Sequence, residues 1–164
     1  MQVLFLCTGN SCRSIFAEAI FNHLAPKNWH ATSAGSHPTG EVHPQTIHTL
    51  QKMGIITDYL RSKSLADIST HPDIVITVCS GAAGEVCPAY LGSAIRCHWD
   101  TEDPSHVFGT ETDIEEAFIR CYRTLTIRIT EMLKLPLEEL QKDKVKLKAS
   151  LNQIALLTTD NERK

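Results

Sequence analysis

Apolar residues along this chain fall into short unbroken runs and longer periodic stretches that take turns. Residues 3–6 (VLFL) form a continuous apolar run, 73–79 (DIVITVC) a β-branched one, and 94–99 (AIRCHW) an alternating one. Residues 31–36 (ATSAGS) make a weaker run interrupted by Gly35. Runs of this length and composition predict four strands. Between them the period changes. Ile15, Phe16, Ala19, Ile20 and Leu24 recur on one helical face, with Glu18 and Asn22 opposite and Pro26 as the stop. Residues 43–53 repeat that spacing through Ile47, Leu50 and Met53 and end at Gly54, and 59–67 predict a shorter helix. Asp113 stands where it would cap a long helix to 133, whose stripe is Ile114, Phe118, Cys121, Leu125, Ile129 and Met132. Pro136 breaks it, and 142–157 predict a last helix that starts very basic. Residues 81–92, with Gly81, Gly84, Gly92 and Pro88, and 101–109, holding Asp103–Pro104, predict loops.

Strands alternate with helices, and no hairpin signal joins neighbouring strands. This predicts an α/β fold: one three-layer domain over 1–157, with a four-stranded, mostly parallel sheet and helices on both faces, then a polar tail over 158–164. In such sheets ligands bind at the carboxyl ends of the strands. Cys7 follows the first strand, Cys79 ends the third and Asp103 lies just beyond the fourth, so three separate stretches converge on one edge.

Composition narrows the class. The 164 residues suffice for one domain with a real core. A net charge of −3 argues against a dedicated nucleic-acid binder, which usually carries a basic stripe. The first apolar run is too short for a signal peptide or a membrane span, which predicts a cytoplasmic protein without a membrane partner. Nothing in the pattern demands more than a monomer. The six cysteines show no paired CxxC spacing, and the eight histidines no HxxxH or HExxH, so no metal site is expected. In a reducing compartment such cysteines are catalytic, redox-active or buried. Cys97 on a strand face and Cys121 on a helical stripe read as core.

The stretch with the most chemistry is 3–16, VLFLCTGNSCRSIF. A strand ends at Cys7, a loop closes on Arg13, and a helix begins near Ser14. A free thiol has a pKa of about 8.5. Here the helix N-terminus, the Arg13 cation and the Ser14 hydroxyl each favour a Cys7 thiolate, and together they are expected to lower that value. The same donors suit a tetrahedral oxyanion. Backbone N–H groups of Thr8, Gly9, Asn10, Ser11, Cys12 and Arg13 can form an anion nest, and the Arg13 fork can hold two oxygens. Gly9 and Asn10 both tolerate the positive φ that a nest requires. Cys12 lies inside the loop and contributes its N–H to the nest.

CTGNSCRS at 7–14, Ser33–Ala34–Gly35, the Gly54 turn and Asp103–Pro104 together resemble the low-molecular-weight protein tyrosine phosphatase superfamily over about 3–132. Thr8–Gly9, Ser11–Cys12, the VCSGAAGEVCP stretch at 78–88 and His98–Trp99 make the chain most similar to its arsenate reductase branch. The resemblance implies Cys7 as nucleophile, Arg13 as anion ligand and Asp103 as the acid that protonates the leaving oxygen. It further implies a thiol relay. Cys7 attacks arsenic, Cys79 attacks the Cys7 sulfur and releases arsenite, and Cys87 then takes the disulfide from Cys79. For this the 81–92 loop must move, with its glycines as hinges. Arsenate is the implied substrate, with phosphate as its analogue. Electrons come from thioredoxin or from a glutaredoxin or small-thiol system, with no tightly bound cofactor. Asn10, Glu18 and Ser33 correspond to positions that bind potassium in some thioredoxin-linked reductases, with Ser64 where those carry an acidic partner. Two other readings share the loop: a phosphatase acting on phosphomonoesters, and a non-catalytic oxyanion-binding regulatory module. Family phosphatases commonly carry an aromatic after Asp-Pro, where this chain has Ser105.

Overall fold

The computed structural model describes residues 1–79 and 92–159. Residues 80–91, with Cys87 and two of the three predicted hinge glycines, lie outside the described residues. Gly92 is described and has φ +55°.

Strand β1 (Gln2–Cys7) is buried from Val3 onward and β3 (Ile74–Thr77) throughout. Both are interior strands, and burial on both faces is why their sequences run apolar without alternation. With β2 (His30–Gly35) and β4 (Ile95–His98) they form one sheet in the order β2-β1-β3-β4, every pair parallel. The β1–β2 and β2–β3 connections run in opposite directions along the sheet. Right-handed crossovers of opposite sense place their helices on opposite faces, so the predicted α/β class is the one the chain adopts. Growth of the sheet reverses between β1 and β3, which opens a crevice at their carboxyl ends. The register pairs Leu6 with Thr77, so Cys7 and Cys79 finish one step apart at that crevice.

Helix α1 (Arg13–Leu24) is enclosed rather than amphipathic: every residue from Ser14 to Phe21 is buried, Glu18 included. Phe21 meets Phe5 of the sheet edge-on at 6.2 Å, and Phe16 meets Phe118 of helix α3 (Glu111–Leu133) at 6.3 Å. Helix α2 (Pro44–Lys52) is capped by the His43 imidazole, which accepts from the Gln45 amide.

The predicted helix at 59–67 reduces to one 3-10 turn at Leu65–Asp67. The residues before it are used otherwise: Ser62 Oγ donates to Gly9 O and the Lys63 amide to Asn10 Oδ1, which draws this segment alongside the cysteine loop. The cap of α3 is Thr110 rather than Asp113. The two make a capping box, with Asp113 N donating to Thr110 Oγ1 and Thr110 N to Asp113 Oδ2. Beyond α3, a short helix α4 (Leu137–Leu140) leads into α5 (Lys144–Ile154), which buries Leu147, Leu151 and Ile154 against the β4 side. Among the described residues, no helix is long and apolar enough to cross a membrane.

Candidate active site

Hydrogen bonds around the loop explain its shape. Its carbonyls point outward: Cys7 O accepts from Ser36 N, Thr8 O from His37 N, Gly9 O from Thr39 N and Ser11 O from His43 N, at 3.0–3.3 Å. With the carbonyls turned out, the amides turn in. The Asn10 amide faces the Cys7 sulfur, and the Thr8 amide donates to Cys79 Sγ at 3.2 Å. Among the described residues the amides of Gly9, Ser11 and Cys12 meet no acceptor. Cys12 offers no side-chain cap to α1, so the first-turn donors of that helix are open to an anion.

One residue makes the reversal. Asn10 has φ +47°, whereas Gly9, expected to share that conformation, does not. The buried Asn10 side chain locks it, donating to Ser14 Oγ (2.8 Å) and Ser33 Oγ (3.0 Å) while accepting from Lys63 N (2.8 Å). Gly35 is required for a different reason. A Cβ there would come within 2.5 Å of Thr8 O, so only glycine lets β2 approach the loop this closely.

Arg13 reaches across to the loop that holds Asp103. Its Nη1 donates to Thr101 O at 3.1 Å and its Nη2 to Asp103 Oδ2 at 3.2 Å, while its buried Nε has no partner among the described residues. A buried unpaired donor is costly, and this one borders the cavity where an oxyanion would sit. That cavity, about 530 Å³, is lined by Cys7, Thr8, Gly9, Ser11, Cys12, Arg13, Thr39, His43, Asp103, Ser105 and His106. The expected Cys7, Arg13 and Asp103 are therefore together, and Cys79 adjoins Cys7. Cys87 lies outside the described residues.

Two electrostatic expectations change. The Cys7 thiol is pushed up, not down. The hydrogen bond with the Cys79 sulfur and burial oppose its ionisation, and they outweigh Arg13 and the Asn10 amide. Ser14 contributes to the loop rather than to the sulfur, since its hydroxyl accepts from Asn10. At Asp103 burial works to raise the carboxyl, but the Ser105 hydroxyl (2.7 Å) and amide (2.9 Å), Arg13 and His106 hold it below the ordinary carboxylate range. In this arrangement Asp103 is an ionised partner of Arg13.

The potassium positions do not fit a free cation. Asn10 is fully engaged, and Ser33 Oγ donates to Glu18 Oε2 at 2.9 Å. The Lys63 ammonium lies 3.5 Å from Glu18 Oε1 and already supplies the positive charge. Burial raises the Glu18 carboxyl and Lys63 counters it. Among the described residues no cluster of His, Cys, Asp or Glu could hold a metal ion. Cys97 and Cys121 are both buried, and burial pushes the Cys97 thiol up to about 12.

Sequence reasoning missed Lys63, Ser62, Thr101 and His106. None belongs to a periodic pattern, and only Thr101 and His106, two residues before and three past Asp103, lay near a recognisable signal.

This loop, acid segment and parallel sheet define a class. A profile of the low molecular weight phosphotyrosine protein phosphatase family matches residues 2–146, and the chain belongs to that family. Within it, the chain is 34% identical over 128 residues to an arsenate reductase of Shouchella clausii, covering 77% of this chain and 91% of the relative. Its fold is similar to that of an arsenate reductase in the phosphate binding state, with a TM-score of 0.68 and 26% identity over 81% of this chain and 96% of that one. The thioredoxin-dependent arsenate reductase of Corynebacterium glutamicum is 33% identical, with a TM-score of 0.53, over 79% of this chain and 61% of that one.

Proposed function

We propose that this protein reduces arsenate to arsenite through a relay of its own thiols. The observation that carries the proposal is a second sulfur at the first. Cys79 contacts Cys7 and takes the Thr8 amide at 3.2 Å, inside a loop otherwise suited to an anion. A hydrolase has no use for that second thiol, whereas a reductase must find two electrons.

The steps balance as follows. Arsenate enters the nest, occupies the inward amides and draws the Arg13 donors, including Nε. Asp103 then loses its cation, its carboxyl rises, and it takes up the proton that the Cys7 thiol gives up, which leaves Cys7 as thiolate and Asp103 as the proton source. The Cys7 thiolate attacks arsenic, a hydroxyl leaves with the Asp103 proton as water, and a Cys7–arsenic(V) bond forms. The Cys79 thiolate attacks the Cys7 sulfur. The sulfur–arsenic bond breaks, its electron pair stays on arsenic, and arsenite departs from a Cys7–Cys79 disulfide. Cys87 attacks Cys79 and returns Cys7 as thiolate. A dithiol such as thioredoxin, or a glutaredoxin and small-thiol system, reduces the Cys79–Cys87 disulfide by exchange. The named dependence of the Corynebacterium glutamicum enzyme supports the thioredoxin branch.

The first half of this sequence would also hydrolyse a phosphomonoester, as the family profile suggests. Against that reading, the rim beside Asp103 is Ser105 and His106, among the described residues no Phe, Tyr or Trp lines the cavity, and Phe108 is 93% exposed rather than turned into it. The test is NADPH oxidation with arsenate and either the thioredoxin or the glutaredoxin chain, beside aryl phosphate hydrolysis. Arsenate-dependent oxidation that vanishes in Cys7→Ser and Cys79→Ser is expected. Brisk hydrolysis without such oxidation would overturn the reductase. Anion binding with neither activity would leave the regulatory module.

A further inference from the structure

We propose that Arg128, on the buried face of α3, is a positioning residue that sets the acid loop, and that it does so by tying that loop to the C-terminal segment. The inference rests on the proposed role of Asp103 as acid.

Arg128 is 3% exposed, and among the described residues no carboxylate lies within salt-bridge distance of it. A buried guanidinium must find several acceptors to offset its lost hydration. It finds them on two segments. Nη1 donates to Asp100 O at 2.9 Å and Thr101 Oγ1 at 3.1 Å, and Nε donates to Leu157 O at 3.0 Å. The planar, multi-donor fork of arginine can join acceptors on separate segments, which a lysine point charge cannot.

Thr101 is then held from both ends. Its hydroxyl accepts from Arg128 and donates to Trp99 O at 2.9 Å, and its carbonyl accepts from Arg13 Nη1 at 3.1 Å. Two residues further on, Asp103 meets the other Arg13 nitrogen. Two arginines thus fix the backbone that delivers Asp103, one from the anion side and one from behind. Packing does part of this work, since Pro104 is buried and the short turn it opens lies against α3. A cavity of about 150 Å³ lies behind the loop, bordered by Thr101, Pro104, Val107, Cys121, Arg128 and Thr158. Beside this open pocket, directed bonds add to the packing that holds the loop. The same base is tied again by Trp99 Nε1, which donates to Leu151 O at 3.0 Å. Both C-terminal anchors, Leu151 and Leu157, lie beyond residue 146, where the family profile ends. The C-terminal segment is therefore a brace for the acid loop.

The experiment compares Arg128→Met, Arg128→Lys and Asp103→Asn, singly and with Asp103→Asn combined with Arg128→Met, in the full chain. Arg128→Met should slow single-turnover arsenate reduction by about tenfold or more, in the range expected for a displaced catalytic group. Phosphate affinity should stay within about twofold, so the loss falls on kcat rather than on binding. Arg128→Lys should recover only part of the rate. In the Asp103→Asn background Arg128→Met should slow the reaction no further. Additive losses, or affinity falling as far as rate, would overturn the inference. So would an unchanged Arg128→Met rate beside a slow Asp103→Asn, which leaves the reductase reading intact. Thr101→Val, a milder change at the same junction, should move the rate in the same direction where Arg128→Met fails to fold. Amide hydrogen exchange gives a readout independent of turnover. The Ser105 amide should exchange faster in Arg128→Met while β1 amides keep wild-type protection, and an unchanged Ser105 overturns the inference even in a protein without reductase activity.

Discussion

At the scale of single residues, the informative pair is Cys7 and Cys79. A cysteine at a helix N-terminus beside an arginine should ionise easily. Here it does not, because a second sulfur shares its site and takes a donor that would otherwise serve the anion. Two interacting thiols lose their protons in coupled steps, the second opposed by the first. Removing Cys79 removes the leading cause of the raised value. Cys79→Ala should therefore lower the Cys7 pKa and speed its alkylation by iodoacetamide near neutral pH, with the rate's pH midpoint moving downward. An unchanged midpoint would mean that the two sulfurs do not interact. Gly35 makes a second residue-scale prediction. Gly35→Ala sets a methyl within 2.5 Å of Thr8 O, so either the loop or β2 must shift. Overpacking of this kind costs roughly 1–3 kcal/mol, and thermal unfolding should register that loss together with weakened phosphate binding.

At the scale of elements, α1 carries the charge that the fold finds hardest to hold. Glu18 is buried, and Lys63, from the segment alongside the loop, is its cation. Burial raises the Glu18 carboxyl, so its folded pKa lies above its unfolded value. Stability from this group is then fully present below the ordinary carboxylate value and is lost as pH rises through the folded one. Lys63→Met deletes the term that opposes the rise. The variant should lose more thermal stability than wild type between pH 5 and pH 8, and parallel losses would refute the pairing. The elements themselves were legible where the sequence alternated apolar runs with helical periods. The strands fell within a residue or two of the predicted bounds, the two interior ones because buried parallel strands need unbroken apolar runs. The helix expected at 59–67 was illegible for a physical reason: Ser62 and Lys63 bond to Gly9 and Asn10, which are distant in sequence. Likewise Cys7, Arg13 and Asp103 could be read from one motif and one Asp-Pro pair. Thr101 and Arg128 could not, since they act through a carbonyl and a fork that no pattern encodes.

At the scale of the molecule, the fold gathers at one sheet edge what a single strand could not supply. The nest comes from β1 and α1, the approach that shapes it from β2, the second sulfur from the end of β3, and the acid from beyond β4. This arrangement implies that the oxyanion is itself a structural element. Among the described residues the amides of Gly9, Ser11 and Cys12 and the Arg13 Nε meet no protein acceptor, an anion supplies one, and the unfolded chain has no such nest. A ligand that binds only the folded state stabilises it by mass action, by about 2.7 kcal/mol at a hundred times its Kd. For a domain of this size that corresponds to roughly 5–10 °C in Tm. Phosphate, which cannot be reduced by thiols, should produce this rise without turnover. Arg13→Met should abolish most of it. Cys7→Ser should retain it, since the backbone amides and the guanidinium do the binding. Cys79→Ala should enlarge it, because the Thr8 amide is then released to the anion. That last variant separates the two roles given to this edge: tighter phosphate binding with arsenate reduction lost is the outcome expected of a sulfur that competes for the nest at rest and attacks Cys7 during the reaction.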